Sequence, residues 1–137
     1  MELKEMGKRA KEASYFLGSM ETDLKNQGLL AAAEEILKHR EDILKANEAD
    51  VILAKEKGMS PALVDRLQLT DKRIDDIVEG IRQVAGLEDP IGEVLSMKRR
   101  PNGLLIGQKR VPMGVIGMIY EARPNVTADA FALCFKT

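Results

Sequence analysis

Apolar side chains recur at Leu3, Met6, Ala10, Ala13, Leu17 and Met20, in steps of three and four that draw one stripe along a helix. Most of the other positions are charged or polar, so residues 1–20 are predicted to form an amphipathic helix with a solvated opposite face. Thr22 and Asp23 can start a second helix, whose stripe of Leu29, Ala33, Ile36, Leu37, Ile43, Leu44, Val51 and Ile52 continues to a stop at Gly58. Residues 39–42 offer a point where it can break. Ser60 followed by Pro61 is a cap with proline at the first helical position, which opens a short turn through Leu67. Thr70 and Asp71 open a further helix bearing Ile74, Ile77, Val78, Ile81, Val84 and Ala85, and Gly86 can close it.

After Pro90 the period changes from helical to alternating. Val94 to Arg99 and Leu104 to Val111 flank the turn Pro101-Asn102-Gly103, which predicts a β-hairpin. Isolated hairpins are marginal in water, and neither face here is densely apolar, so this one is expected to add to another sheet. Beyond Pro112, the nearly continuous apolar run from Met113 to Tyr120 has the composition of a strand buried on both faces of a parallel sheet. A polar bend, Glu121-Ala122-Arg123-Pro124-Asn125, leads into a last helix with Asn125 or Thr127 as its expected cap. A buried strand followed by a helix calls for a return strand. The chain therefore reads as α/β, the opening segment of a larger domain rather than a complete one.

Composition narrows the function classes. With 21 basic and 22 acidic side chains and a net charge of −1, the chain has no electrostatic pull on nucleic acid or on an anionic membrane. The charged start lacks the apolar run of a secretory signal, and no apolar stretch is long enough to cross a bilayer, so a cytoplasmic location is expected. One cysteine, Cys134, excludes an internal disulfide, and one histidine, His39, leaves too few soft ligands for a structural zinc; no metal is expected. Cys134 stands among Phe131, Leu133 and Phe135 with only Lys136 as a basic neighbour, the setting of a structural thiol rather than a nucleophile. His39, between Lys38 and Arg40, receives no role. Gly114 and Gly117 do not have dinucleotide-fingerprint spacing and are expected to allow close backbone packing of the strand.

The bend before the last helix carries the most chemistry. The end of a buried strand and the start of a helix together gather free backbone N–H groups where ligands of open α/β sheets lie. Arg123 adds a fixed cation there, suited to an anion or to a structural salt bridge. Asn125 adds an amide that can cap the helix or donate to a developing oxyanion.

Several blocks resemble the gamma-glutamyl phosphate reductase family of the aldehyde dehydrogenase superfamily. They are Gly58-Met59-Ser60-Pro61-Ala62-Leu63-Val64-Asp65-Arg66-Leu67 with Thr70, Glu79-Gly80-Ile81-Arg82-Gln83-Val84-Ala85, and Asp89-Pro90-Ile91-Gly92. Arg100-Pro101-Asn102-Gly103-Leu104 follows, and the run from Arg110 to Thr127 is the most specific. The resemblance implies NADPH-dependent reduction of L-glutamyl 5-phosphate to L-glutamate 5-semialdehyde and phosphate, through a cysteine thiolate that lies downstream of the block present here.

The resemblance also implies a division of the chain: 1–92 and 112–137 as the helical layer, first buried strand and following helix of a doubly wound cofactor-binding domain, and 93–111 as a hairpin of an oligomerisation sheet joining a homo-oligomer. Ile119, Tyr120 and Glu121 would run along the cofactor, Arg123 would meet an anionic group of substrate or cofactor, and Asn125 would take the oxyanion role, although a gap-free alignment sets Arg123 nearer the superfamily asparagine. The 137 residues alone are expected to be inactive and not to bind NADPH or NADP tightly. Two rivals remain open: a helical interaction module without catalysis, and a reductase of the same superfamily acting on another acyl phosphate or aldehyde.

Overall fold

A computed structural model describes residues 2–121 and 123–137; Met1 and the bend residue Ala122 lie outside the described residues. The elements follow in the order α1 (Leu3–Gly18), α2 (Thr22–Lys38), α3 (Arg40–Glu56), α4 (Pro61–Leu67), α5 (Asp71–Gly86), β1 (Val94–Arg99), β2 (Leu105–Lys109) and α6 (Pro124–Lys136). The fold is thus mixed, helical with a two-stranded antiparallel sheet. No helix among the described residues is long and apolar enough to cross a membrane.

The core lies where α2, α5 and α6 meet. Leu29 and Ala33 of α2, Val78, Ile81 and Ala85 of α5, and Ala132 of α6 are buried against one another. On α2 and α5 these residues lie three, four or seven apart, the spacing that keeps an apolar stripe on one face. Gly28 lets α6 approach α2 closely, since a Cβ at that position would lie 3.1 Å from the Phe135 ring. The long predicted helix breaks where expected, at His39, which ends α2 and begins α3 while its ring nitrogens face Glu35 at 3.3 Å and Asp42 at 3.4 Å. Gly58 takes φ +75° just after α3, as a helix stop requires. Thr70 caps α5 by accepting from the Arg73 N–H at 3.2 Å.

Helix α1 forms where its stripe predicts, but the stripe is not fully covered. It buries no residue, and Leu3 and Met6 of the stripe are 83% and 51% exposed. The moment is present but no described element covers that face fully; Ala10, Ser14 and Leu17 are only half-buried.

The hairpin pairs β1 with β2 from Val94 opposite Lys109 to Arg99 opposite Leu105, with an irregularity between Val94 and Ser96. Its turn is closed by Gly103 N–H to Arg100 C=O at 2.9 Å, with Gly103 at φ +88°. No described strand joins it on either edge, and of its strand residues only Ser96 is half-buried. The run 113–120 is not a buried strand within this chain. It has no regular secondary structure, and Met113, Ile116 and Ile119 are 85%, 49% and 101% exposed. The physical reasons are a missing ladder partner among the described residues and Gly114 at φ +98°, a conformation outside the β region. Nor do the two glycines serve close packing here: Gly117 has open space where a Cβ would be, and Gly114 meets only the tip of Lys11 at 3.9 Å.

Candidate functional site

Helix α6 is held in place from its far end. Lys136 is 1% exposed, and its Nζ donates to Asn26 Oδ1 at 2.5 Å on α2 and to the Ala85 carbonyl at 3.1 Å on α5. Lys25, 2% exposed, donates to the Lys136 carbonyl at 3.3 Å and to Asp89 Oδ2 at 3.0 Å. Asp89 also accepts from Thr22 at 3.0 Å and from the Ile91 backbone N–H at 2.9 Å. Burial works against the charged carboxylate of Asp89, but the Ile91 N–H, the Lys25 ammonium and the Thr22 hydroxyl outweigh it and hold its pKa below the ordinary value. Each buried polar side-chain atom among the described residues has a partner. This lattice ties α2, α5, α6 and the stem of the hairpin together, and so fixes the axis of α6.

The other end of α6 carries the bend. Arg123 stands at the N-cap position with φ −135°, its carbonyl accepting from the Val126 N–H at 3.1 Å, and no side chain caps the helix. Asn125 and Thr127, the expected caps, both lie inside α6. Pro124 supplies the first helical residue, which places Asn125 second and directs its side chain elsewhere. The Asn125 amide donates to Asp129 Oδ2 at 3.1 Å, one turn on. Thr127 pairs with the Tyr120 hydroxyl at 2.5 Å, which ties the segment before the bend onto the helix.

Two clefts of about 420 Å³ each flank the bend. The first runs between the end of α4, the first turns of α5 and the start of α6, and brings Arg123 and Asn125 together with Arg73, Asp76 and Asp129. The second is lined by Leu63, Ile119, Tyr120, Glu121, Arg123 and Val126. All five residues singled out in the sequence therefore border one of two adjoining clefts, and Arg123 borders both. Arg66 also borders both and was missed. Its only sequence signal was an arginine near the end of a short helix, which says nothing of what that helix faces.

Arg73 is already engaged within the fold. It donates to both carboxylate oxygens of Asp65 at 3.2 Å, to the Gln68 carbonyl at 2.6 Å and to the Asp65 carbonyl, joining α4 to α5. The side chains of Arg66, Arg123 and Asp76 make no hydrogen bond or ion pair among the described residues. The second cleft sets an apolar wall of Leu63, Ile119 and Val126 and the Tyr120 side chain beside the Arg66 and Arg123 guanidinium groups and the Glu121 carboxylate. Cys134 is half-buried on α6 and faces a crevice of about 20 Å³ beside Lys25 and Pro112, too small for a substrate. Among the described residues, no group of three or more His, Cys, Asp or Glu is placed to hold a metal ion.

No protein-family model matches the chain. Gamma-glutamyl phosphate reductase of Lachnospira eligens is 55% identical over 135 residues, covering 98% of this chain and 32% of the relative. The crystal structure of gamma-glutamyl phosphate reductase from Thermotoga maritima superposes with a TM-score of 0.96 at 45% identity, over 99% of this chain and 33% of that one. The enzyme of the same name from Saccharomyces cerevisiae gives 0.87 at 33% identity, over 96% and 34%. The chain spans about a third of the length of the curated relatives it matches. From end to end, it matches the N-terminal third of gamma-glutamyl phosphate reductase.

Proposed function

We propose that this chain serves NADPH-dependent reduction of L-glutamyl 5-phosphate to L-glutamate 5-semialdehyde and phosphate, as the N-terminal part of a reductase of the aldehyde dehydrogenase superfamily. The observation that carries this reading is identity of 55% over 98% of the chain to a protein of that name. In it, residues 1–92 and 112–137 belong to the cofactor-binding domain, and the hairpin at 93–111 joins an oligomerisation sheet of a cytoplasmic homo-oligomer. The hairpin's open edges and exposed strands support that role, because unpaired strand edges are templates for pairing.

Ile119, Tyr120 and Glu121 lie along the cofactor, whose bound form would supply a hydride. Arg123 holds an anionic group of substrate or cofactor, and its freedom from any ion pair among the described residues supports this over a structural salt bridge. Asn125 donates to the oxyanion on the glutamyl carbonyl. Its amide carries two N–H bonds, and the one hydrogen bond to Asp129 at 3.1 Å orients the group while leaving the second N–H for a ligand.

The test joins this chain in frame to the downstream two thirds of the Thermotoga maritima enzyme and assays reduction of NADP by the semialdehyde and phosphate. Activity is expected in the fusion and not in the 137 residues alone. Asn125→Ala in the fusion should lower turnover about a hundredfold, as loss of an oxyanion donor does. Arg123→Lys keeps the charge but loses the planar fork, and should weaken substrate or cofactor binding. An inactive but folded fusion overturns the reductase reading, and unchanged kinetics in both variants removes the bend from the site.

A further inference from the structure

The charges facing the first cleft are balanced in kind and unequal in use. Of its three arginines, Arg73 is consumed by Asp65 and two carbonyls, while Arg66 and Arg123 are unpaired among the described residues. Of its carboxylates, Asp65 is consumed by Arg73 and Asp129 accepts one amide hydrogen bond from Asn125, while Asp76 is unpaired. What remains is two free guanidinium groups and a pair of carboxylates with acceptor capacity around one opening.

A phosphate or a dicarboxylate set there would satisfy the arginines and be opposed by Asp76 and Asp129. A diamine would do the reverse. A ligand bearing one anion and one ammonium close together satisfies both sets, and it enters at little electrostatic cost because the unpaired charges nearly cancel.

We infer that this cleft recognises an α-amino-acid head group, with the carboxylate on Arg66 and Arg123 and the ammonium on Asp76 and Asp129. Guanidinium forks match a carboxylate in two parallel hydrogen bonds, and a carboxylate takes an ammonium with no geometric demand beyond distance. The assignment deepens the reductase reading and rests on it for the identity of the amino acid. It gives that reading what the sequence lacked: residues of this chain that distinguish glutamyl phosphate from an acyl phosphate without an amino group. Arg66 and Asp76 are both exposed, so replacing them leaves the core intact.

The experiment is a 1H–15N correlation titration of the 137-residue chain with L-glutamate, with glutarate, which lacks the ammonium, and with 4-aminobutyrate, which lacks the α-carboxylate. L-Glutamate is expected to shift amides of residues 65–77 and 123–129 saturably, and to bind about tenfold more tightly than either analogue, the worth of one charge-assisted hydrogen bond. Arg66→Gln and Asp76→Asn should each weaken L-glutamate about tenfold, and Asp76→Asn should leave glutarate binding no weaker. Absence of saturable shifts, equal binding of glutarate, or displacement of L-glutamate from these residues by NADP overturns the inference. The fusion assay judges the reductase reading independently: an active fusion with no L-glutamate response in the cleft rejects the head-group site alone. L-Glutamate binding with an inactive fusion rejects the reaction alone.

Discussion

The α2–α5–α6 layer and the stretch formed by the hairpin and residues 112–121 are similarly rich in apolar side chains, and they use them in opposite ways. In the layer, Leu29, Ala33, Ile81 and Ala132 are 0%, 0%, 1% and 1% exposed. In the other region, Leu95, Ile106, Val111 and Met118 are 46%, 48%, 72% and 51% exposed. Apolar content therefore does not measure how much of a segment's stability is local. What differs is the range of the interactions that complete each element. A helix satisfies its own backbone and needs only a neighbouring stripe, whereas a strand leaves backbone groups and two faces to be completed by other strands. The bend with Arg123 sits on the boundary, one side pinned through α6 to the layer and the other continuing into the uncovered run.

The largest effect that would break this contrast lies in the core. Ile81→Ala should cost about 3 kcal/mol in urea unfolding, because 1% exposure leaves a cavity that fixed helices cannot close. A loss below that of a surface substitution would mean the layer is not the stable unit. Next comes Asp89→Asn, which leaves the buried Lys25 ammonium facing a neutral amide at the stem of the hairpin and should cost about 2 kcal/mol near neutral pH. The folded pKa of Asp89 lies below the ordinary 3.8, so its contribution is complete above that value and is lost as pH falls through the depressed folded one. Acid unfolding of the parent chain should therefore be steeper than that of Asp89→Asn, and identical acid profiles would deny the pair its role. Thr70→Ala removes the single side-chain cap seen on a described helix and should cost about 1 kcal/mol.

These same elements show what the sequence could disclose. The Thr70 cap and the Pro101-Asn102-Gly103 turn were legible because donor and acceptor lie within a few residues, where local stereochemistry decides the outcome. The break at His39 and the stop at Gly58 were legible for the same reason. Lys25 with Asp89 and Lys136 with Asn26 were not, since they are 64 and 110 residues apart and lysine patterns as a surface residue until a partner is known. Arg123 and Asn125 were singled out from the bend, while Arg66 and Asp76 needed the folded placement of α4 and α5 around one cleft with the start of α6 to bring them into view. The cap assigned to Asn125 failed because Pro124 occupies the first helical position and shifts the asparagine one residue inward.

The smallest stability effect sharpens the contrast most. Ile119 is fully exposed, with a relative exposure of 101%, so Ile119→Ser removes no buried contact and should change unfolding free energy by less than about 0.5 kcal/mol. Its effect should appear in association instead. Met113, Val115, Ile116 and Ile119 together present an apolar surface whose backbone has no ladder partner among the described residues, which favours self-association of the isolated chain. Sedimentation velocity over a range of concentrations should show the parent chain associating, and Ile119→Ser with Met113→Ser shifting toward monomer at unchanged stability. A parent chain that sediments as a concentration-independent monomer would mean that this run is covered in solution, and a large loss of stability in Ile119→Ser would place it inside the folded unit; either result would erase the distinction between the two regions.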